Sequence, residues 1–292
     1  MNDTAHHGQA VMERPSLYVV ATPIGNLADI TLRALDVLKR VDVIAAEDTR
    51  LASRLLKHHG ITTRLMAVHE HNERGAAQKI VQLLAQGKSI ALISDAGTPA
   101  ISDPGALAVA AVRQAGYPVV PVPGANAALC ALSAAGLAAP HFLFYGFLPA
   151  QAAARKRELA ALKALPYLLV FYEAPHRVVA SVADIAAVLG DTRMVTIARE
   201  LTKLFETIHS CALGEAAAWF AQDANQVKGE FVLLVDGAPA ADAADDGAVQ
   251  RVLAALMREL PLKQAVKLAA DITDARKNDV YELALRMKKN PD

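Results

Sequence analysis

The chain has 292 residues, 53% of them hydrophobic, with 30 basic and 30 acidic side chains in formal balance. That length supports one large or two medium domains, and the balance excludes a globally basic polyanion binder while leaving room for a local basic face. Two cysteines, Cys130 and Cys211, lie far apart in apolar contexts, which excludes a disulfide framework and reads as thiols of a reducing compartment.

Residues 1–16 are polar and lack an apolar run, so they read as a disordered leader and not as a signal peptide. From Leu17 onward, strand-like and helix-like segments alternate. Strands are predicted at Leu17–Thr22, Val43–Ala46, Leu65–Val68, Ser89–Ile93 and Pro118–Val122. Helical patterns lie near Leu27–Lys39, Leu51–His59, Arg74–Gln86, Pro104–Gly116 and Asn126–Gly136. This is α/β architecture with a mainly parallel sheet. The most apolar stretch, 127–139, is too short to span a bilayer, so a cytoplasmic protein is expected.

A boundary near Gly136–Pro140 separates an N-terminal α/β domain (17–136) from a second one (137–236). The second has strands at Phe142–Tyr145, Tyr167–Tyr172, Met194–Ala198, Glu206–Ser210 and Phe231–Val235. Only three helices accompany those five strands, so antiparallel pairing enters there. Residues 237–247, GAPAADAADDG, form a linker by composition. The tail, 248–292, is helical and carries nine basic against six acidic residues. Two of its short helices, around Thr273 and Asp274, have helix-turn-helix spacing, and a plain small bundle fits the same pattern.

The chemistry-bearing motifs fall at strand ends. Two glycine-rich turns flank the strand at 118–122: SDAGTPAISDPG (94–105) and PVPGANAA (121–128). A strand, a small-residue turn and a helix start let a ligand approach the backbone and meet free N–H groups. Two such turns in neighbouring units place a cofactor at the carboxyl edge of a parallel sheet. In the first, Asp95 can hold a ligand's ammonium or hydroxyl groups or serve an Asx turn, and Asp103-Pro104 reads as a helix start. The turn VATPIGN (20–26) has one glycine, not a dinucleotide fingerprint, and no P-loop occurs. NAD and ATP are therefore poor ligands to expect.

Glu47-Asp48-Thr49-Arg50 puts acids at the ligand edge, with Asp48 equally able to cap the next helix and Arg50 to pair with it. His69-Glu70-His71-Asn72-Glu73 is a polar loop whose spacing fits no zinc helix. FYEAPHR (171–177) and RELTK (199–203) bring charge to strand ends of the second half. Arg155-Lys156-Arg157 is a solvated helix face or a set of phosphate contacts.

Together VATPIGNLADIT, AEDTR, HEHNE, SDAGTPAISDPG, PVPGANAAL, GFLP, FYEAPHRV and RELTKLFET resemble the class III, tetrapyrrole-methylase-like methyltransferases that use S-adenosylmethionine. HEHNE, FYEAPHRV and RELTK are most similar to the bacterial branch that methylates a cytidine ribose 2′-hydroxyl in the decoding centre of small-subunit (16S) ribosomal RNA. The resemblance runs from about Leu17 to Val235 and continues into the tail. It implies two α/β domains with the cofactor in a cleft between them, a homodimer, and a tail that helps engage RNA.

The resemblance also implies cofactor contacts from Pro23 and Ile24, from Asp95, Ala96, Gly97 and Thr98, and from Pro123, Gly124, Ala125, Asn126 and Ala127. Phe171, Tyr172, Leu201, Glu230 and Phe231 are implied to contribute from the second domain. Methyl transfer from a sulfonium gains most from alignment and exclusion of water, and a ribose hydroxyl gains from a base. Candidates for such chemistry are Asp48, His69, Glu70 and Glu173, with Arg50 stabilising charge. Phosphate contacts are expected from Arg155, Lys156, Arg157, Arg177 and Lys203, and in the tail from Lys263, Lys267, Arg276 and Lys277. The mechanism requires no metal. Two alternatives stand beside this one: a same-fold methyltransferase acting on a tetrapyrrole or a protein side chain, and a non-catalytic RNA-binding assembly factor.

Overall fold

The computed structural model describes residues 14–69, 71–239, 246–273 and 275–289. In the first half the elements run β1 (Leu17–Val20), α1 (Leu32–Arg40), β2 (Val43–Ala46), α2 (Thr49–His58), β3 (Arg64–Ala67), α3 (Glu73–Ala85), β4 (Ile90–Ile93), α4 (Ala106–Gln114), β5 (Val119–Val122) and α5 (Ala127–Ala134). The strands form one sheet in the order β3-β2-β4-β1-β5, parallel throughout. Every residue of β2 and β4 is buried, as central strands covered by helices on both faces require. Pro121 lies in β5, an edge strand, where a residue without an N–H is tolerated.

Caps set the helix starts. Thr31, Asp48 and Asn126 accept hydrogen bonds from the N–H groups of Ala34, Arg50 and Leu129. The cap at Thr31 splits the expected 27–39 helix into a short 3-10 turn, Leu27–Asp29, and α1. The expected start of α4 at Asp103-Pro104 is corrected: Gly105, at φ 130°, is the cap residue. The carboxylate that serves this helix comes from Glu73, whose Oε1 accepts from Gly105 N at 2.8 Å and Leu107 N at 2.9 Å.

The second half contains β6 (Phe142–Phe147), α6 (Ala152–Leu162), β7 (Leu168–Glu173), α7 (Val178–Leu189), β8 (Met194–Arg199), β9 (Thr207–Ala212), α8 (Leu213–Gln222) and β10 (Phe231–Val235). Its sheet has the order β6-β7-β10-β8-β9, with only β6 and β7 parallel. The two sheets belong to one compact unit, not two separate ones. The physical reason is α5, whose Ala128 and Ala131 pack against Leu168, Val170, Val232 and Leu234 of the second sheet. A helix begun by the first half thus caps the core of the second.

The tail, with residues 161–167, forms a second unit. Its helices α9 (Asp246–Glu259), α10 (Leu262–Thr273) and α11 (Lys277–Lys289) enclose their own core of Val249, Leu253, Ala265, Val266, Ala269, Val280 and Ala284. Most of the linker at 237–247, and residues 1–13 of the leader, lie outside the described residues.

Candidate active site

The strand order fixes where loops meet. Strand β1 lies between β4 and β5, so the turns leaving these three parallel strands emerge side by side. The chain stitches them together. Thr22 and Gly97 exchange backbone hydrogen bonds, Thr22 N to Gly97 O at 2.8 Å and Gly97 N to Thr22 O at 3.1 Å. Thr98 Oγ1 donates to Ala125 O at 3.2 Å. Gly124 is required here because a Cβ would come within 2.9 Å of Ala21 Cβ.

The second sheet brings its own edge to the same place. Phe231 pairs with Glu173 on one side and with Arg199 on the other. The end of β7, the start of β10 and the end of β8 therefore share one edge. The loop after β8 presses on the first turn, since a Cβ on Gly25 would lie 3.0 Å from Leu201 O and 2.9 Å from Thr202 Oγ1. Tyr172 of β7 reaches α5, where its hydroxyl oxygen accepts from Ala128 N at 3.2 Å.

Between these edges lies a cavity of about 290 Å³, near the lower end for a small-molecule site. Ile24, Phe147, Leu201, Phe231 and Val232 give it an apolar wall, and residues 96–98 and 126–127 bring backbone groups. Ser102, which lines it, holds left-handed backbone (φ 64°), as do Ala100 (φ 65°), beside the lining residue Ile101, and Glu200 (φ 53°) and Thr202 (φ 66°), on either side of Leu201. Such conformations cost about 1–3 kcal/mol each and persist where surroundings enforce them, most often at functional sites.

Of the expected cofactor contacts, Ile24, Ala96, Gly97, Thr98, Asn126, Ala127, Tyr172, Leu201, Glu230 and Phe231 line this cavity. Pro23, Pro123, Gly124 and Ala125 belong to the turns that frame it. Asp95 ties the loops together, its Oδ1 accepting from Asp48 N at 2.9 Å. Phe171 requires a correction. Successive strand residues face opposite sides, so with Tyr172 in the cavity Phe171 points away and is fully buried against Tyr145.

The catalytic candidates fare differently. Glu173 borders the cavity, but its side chain is only 1% exposed and its carboxylate is fully engaged. Its Oε1 accepts from Ala174 N and Arg177 Nε, both at 2.8 Å, and its Oε2 accepts from Ser181 Oγ. It is a structural clamp, and the proton-acceptor role is withdrawn from it. Asp48 caps α2 and pairs with Arg50, whose Nη2 lies 2.6 Å from Asp48 Oδ2. The Arg50 guanidinium holds the Asp48 carboxyl down at about 2, and Arg50 itself is 87% exposed. His69 lies in the loop after β3, its ring edge-on to His71 and its N–H bonded to Asn72. Glu70 lies outside the described residues.

The basic candidates divide by exposure. Arg155 is corrected: it is 4% exposed, with Nε 2.8 Å from Asp184 Oδ2 and Nη1 donating to the carbonyls of Pro149 and Ala150. Lys156 also reaches Asp184, at 3.2 Å, and stays half exposed, while Arg157 faces solvent. Arg177 is committed to Glu173 and the Leu148 carbonyl. Lys203 sits between Glu200 and Glu230, 2.8 Å from each, so it offers no free positive charge to phosphate. In the tail Lys263, Lys267, Arg276 and Lys277 are exposed or partly exposed.

Among the described titratable residues lining the cavity, the sequence reading missed one. Asp103 lines the cavity, and burial together with the nearby Glu47 and Asp95 carboxylates pushes its carboxyl up to about 6. Ser94 is its hydrogen-bonding neighbour, and among the described residues no cation offsets these effects. The DP dipeptide signals a helix cap, and the cap supplied by Glu73, at the start of α3, releases Asp103 for the cavity.

The chain matches the family model of tetrapyrrole (corrin/porphyrin) methylases over residues 16–217 and a model described as the RsmI C-terminal HTH domain over residues 241–288. It is 51% identical to the ribosomal RNA small subunit methyltransferase I of Escherichia coli O157:H7, covering 97% of this chain and 99% of that protein. It is 52% identical to the protein of the same name from Pseudomonas aeruginosa, covering 94% and 98% of the two chains. Among solved structures, a Thermus thermophilus uroporphyrin-III-C-methyltransferase superposes with a TM-score of 0.56 at 20% identity, over 76% of this chain and 94% of that one. The methyltransferase CobJ superposes with a TM-score of 0.58 at 18% identity, over 77% and 95%. Those two likenesses speak for the fold. The chain belongs to the tetrapyrrole (corrin/porphyrin) methylase family.

Proposed function

We propose that the protein is a methyltransferase of small-subunit ribosomal RNA, placing a methyl group from S-adenosylmethionine on the ribose 2′-hydroxyl of a cytidine in the decoding centre. The observation that carries the RNA assignment is identity of about one half, over nearly the whole of both chains, with proteins named for methylating that RNA. The helix-turn-helix tail accompanies it. The 2′-hydroxyl and the cytidine rest on the resemblance of HEHNE, FYEAPHRV and RELTK to that branch.

The cavity suits the cofactor's chemistry. Gly97 needs its positive φ of 79°, and a Cβ there would meet Ile24 and the Ala125 carbonyl, so the turn stays open to a close-lying ligand. The apolar wall fits a nucleoside base, the Glu230 carboxylate fits hydroxyl groups, and the apolar lining disfavours water where cofactor and acceptor meet. When bound, the cofactor supplies a methyl group on a positively charged sulfur. The protein's work is then to align acceptor and donor in a dry site. With Glu173, Arg177 and Lys203 committed to internal pairs, RNA phosphates are left to Arg157, Lys156 and the tail lysines and arginines. The protein acts in the cytoplasm, as a homodimer. Among the described residues no helix is long and apolar enough to cross a membrane, which suits such a substrate.

The test offers methyl-labelled S-adenosylmethionine with unmodified small subunits, free small-subunit RNA and a porphyrinoid precursor in parallel. Label in RNA at one ribose is expected. Label only in the porphyrinoid contradicts the assignment, and RNA binding without any transfer favours the assembly-factor alternative.

A further inference from the structure

We infer that Asp103 is the proton acceptor for the attacking hydroxyl, a role that rests on the proposed RNA methylation. Among the described residues, four titratable ones line the cavity: Asp103, Tyr172, Glu173 and Glu230. Three are committed. Glu173 is saturated by Ala174, Arg177 and Ser181. Glu230 is paired with Lys203, whose ammonium also holds Glu200. Tyr172 accepts from Ala128 N, and burial raises its phenol further from ionisation. Among the described residues Asp103 alone brings a carboxylate to the cavity lining without a cation paired to it.

The surroundings of Asp103 suit that work. It follows Ser102, held at φ 64°, and precedes Pro104, whose ring restricts the backbone of the residue before it. The charges facing it are Glu47 from the end of β2 and Asp95 from the loop after β4, with Tyr172 approaching from β7. Both carboxylates disfavour its ionised form, as burial does, and the carboxyl titrates at about 6. A base is most effective when its pKa lies just below the working pH, ionised yet still proton-hungry. The balance is simple. The hydroxyl oxygen bonds the methyl carbon as the carbon–sulfur bond breaks, its electron pair remaining on sulfur, and the hydroxyl proton passes to the Asp103 carboxylate. One positive and one negative charge are consumed together.

The experiment compares wild type, Asp103→Asn and Asp103→Ala on unmodified small subunits, with single-turnover rates from pH 5 to 8 and cofactor affinity by calorimetry. Wild type should show a rate that climbs with pH through about 6 and then levels. Asp103→Asn should bind S-adenosylmethionine within a few-fold of wild type, lose on the order of 10²-fold or more in rate, and lose the acid limb. Added formate should restore part of the rate to Asp103→Ala, which a merely structural residue would not allow. A rate and acid limb unchanged in Asp103→Asn overturn the inference, as does a loss of cofactor affinity that accounts for the whole loss of rate. RNA methylation by wild type with an intact Asp103→Asn rate leaves the proposed function standing. No RNA methylation by wild type removes both.

Discussion

Replacing Glu173 by Gln separates a structural clamp from a catalytic base. The carboxylate bonds the N–H of Ala174, the guanidinium of Arg177 and the hydroxyl of Ser181, and its side chain is 1% exposed. The amide keeps the shape and can still accept from Ala174 and Arg177, but it surrenders the charge. A buried hydrogen bond to a charged partner contributes about 1.5–3 kcal/mol, and Arg177, itself partly exposed, keeps its bond to the Leu148 carbonyl. The expected loss is therefore about 2 kcal/mol, which lowers the melting temperature by about 4–8 °C in a domain of this size. Glu173→Ala also leaves three donors without an acceptor and should cost about 3–5 kcal/mol. The assay is a thermal melt of each variant beside its methylation rate at about 25 °C, normalised to folded protein. Glu173→Gln should melt early and keep most of its rate. A wild-type melt combined with a rate lowered by the 10²-fold or more that a base contributes would refute the reasoning.

Gly25→Ala forces a Cβ to within 3.0 Å of the Leu201 carbonyl, so the two cavity edges must part. Overpacking of this kind costs about 1–3 kcal/mol, and calorimetry should show cofactor affinity weakened by about 5- to 150-fold. Asp103→Asn changes how stability depends on pH. The folded carboxyl titrates at about 6 against an ordinary 3.8, so wild type loses stability as pH rises between those values and keeps that deficit above them. The variant should melt higher than wild type at pH 7.5 and alike below pH 3.8, and equal melting at pH 7.5 contradicts the burial of that charge. Arg155→Ala should lower the melting temperature by breaking the pair with Asp184 while leaving the salt dependence of RNA binding unchanged. Alanine at Lys263, Lys267, Arg276 and Lys277 should do the reverse. Each substitution that takes a cation off an RNA phosphate should flatten the salt slope by about one, as a binding titration in rising salt would read.

The architecture was legible because apolar runs of four to six residues alternate with amphipathic helices, and β2 and β10 lie where the pattern places them. The entry of antiparallel pairing into the second sheet followed from counting helices against strands, while its one parallel pair, β6 with β7, did not. Side-chain fate was less legible. The Arg155-Lys156-Arg157 triplet looks uniformly solvated in sequence, but the opening of α6 turns Arg155 onto Asp184, a residue 29 positions away. Lys203 looks free until Glu230 arrives from 27 positions away. Asp103 looks like a cap until Glu73 does that work from the first turn of α3. In each case a partner distant in sequence decides the role, and no local pattern carries it. The same holds for the domain boundary: the alanines of α5 give no sign that they pack on the sheet that follows.

The most direct test of the account is nucleoside mass spectrometry of small-subunit RNA from unmodified subunits incubated with the protein and S-adenosylmethionine. One 2′-O-methylcytidine gained per subunit is expected, mapped to the decoding centre and dependent on added protein. A methyl group on a base, a methyl group on another ribose, or no gain in RNA while a tetrapyrrole is methylated would contradict it.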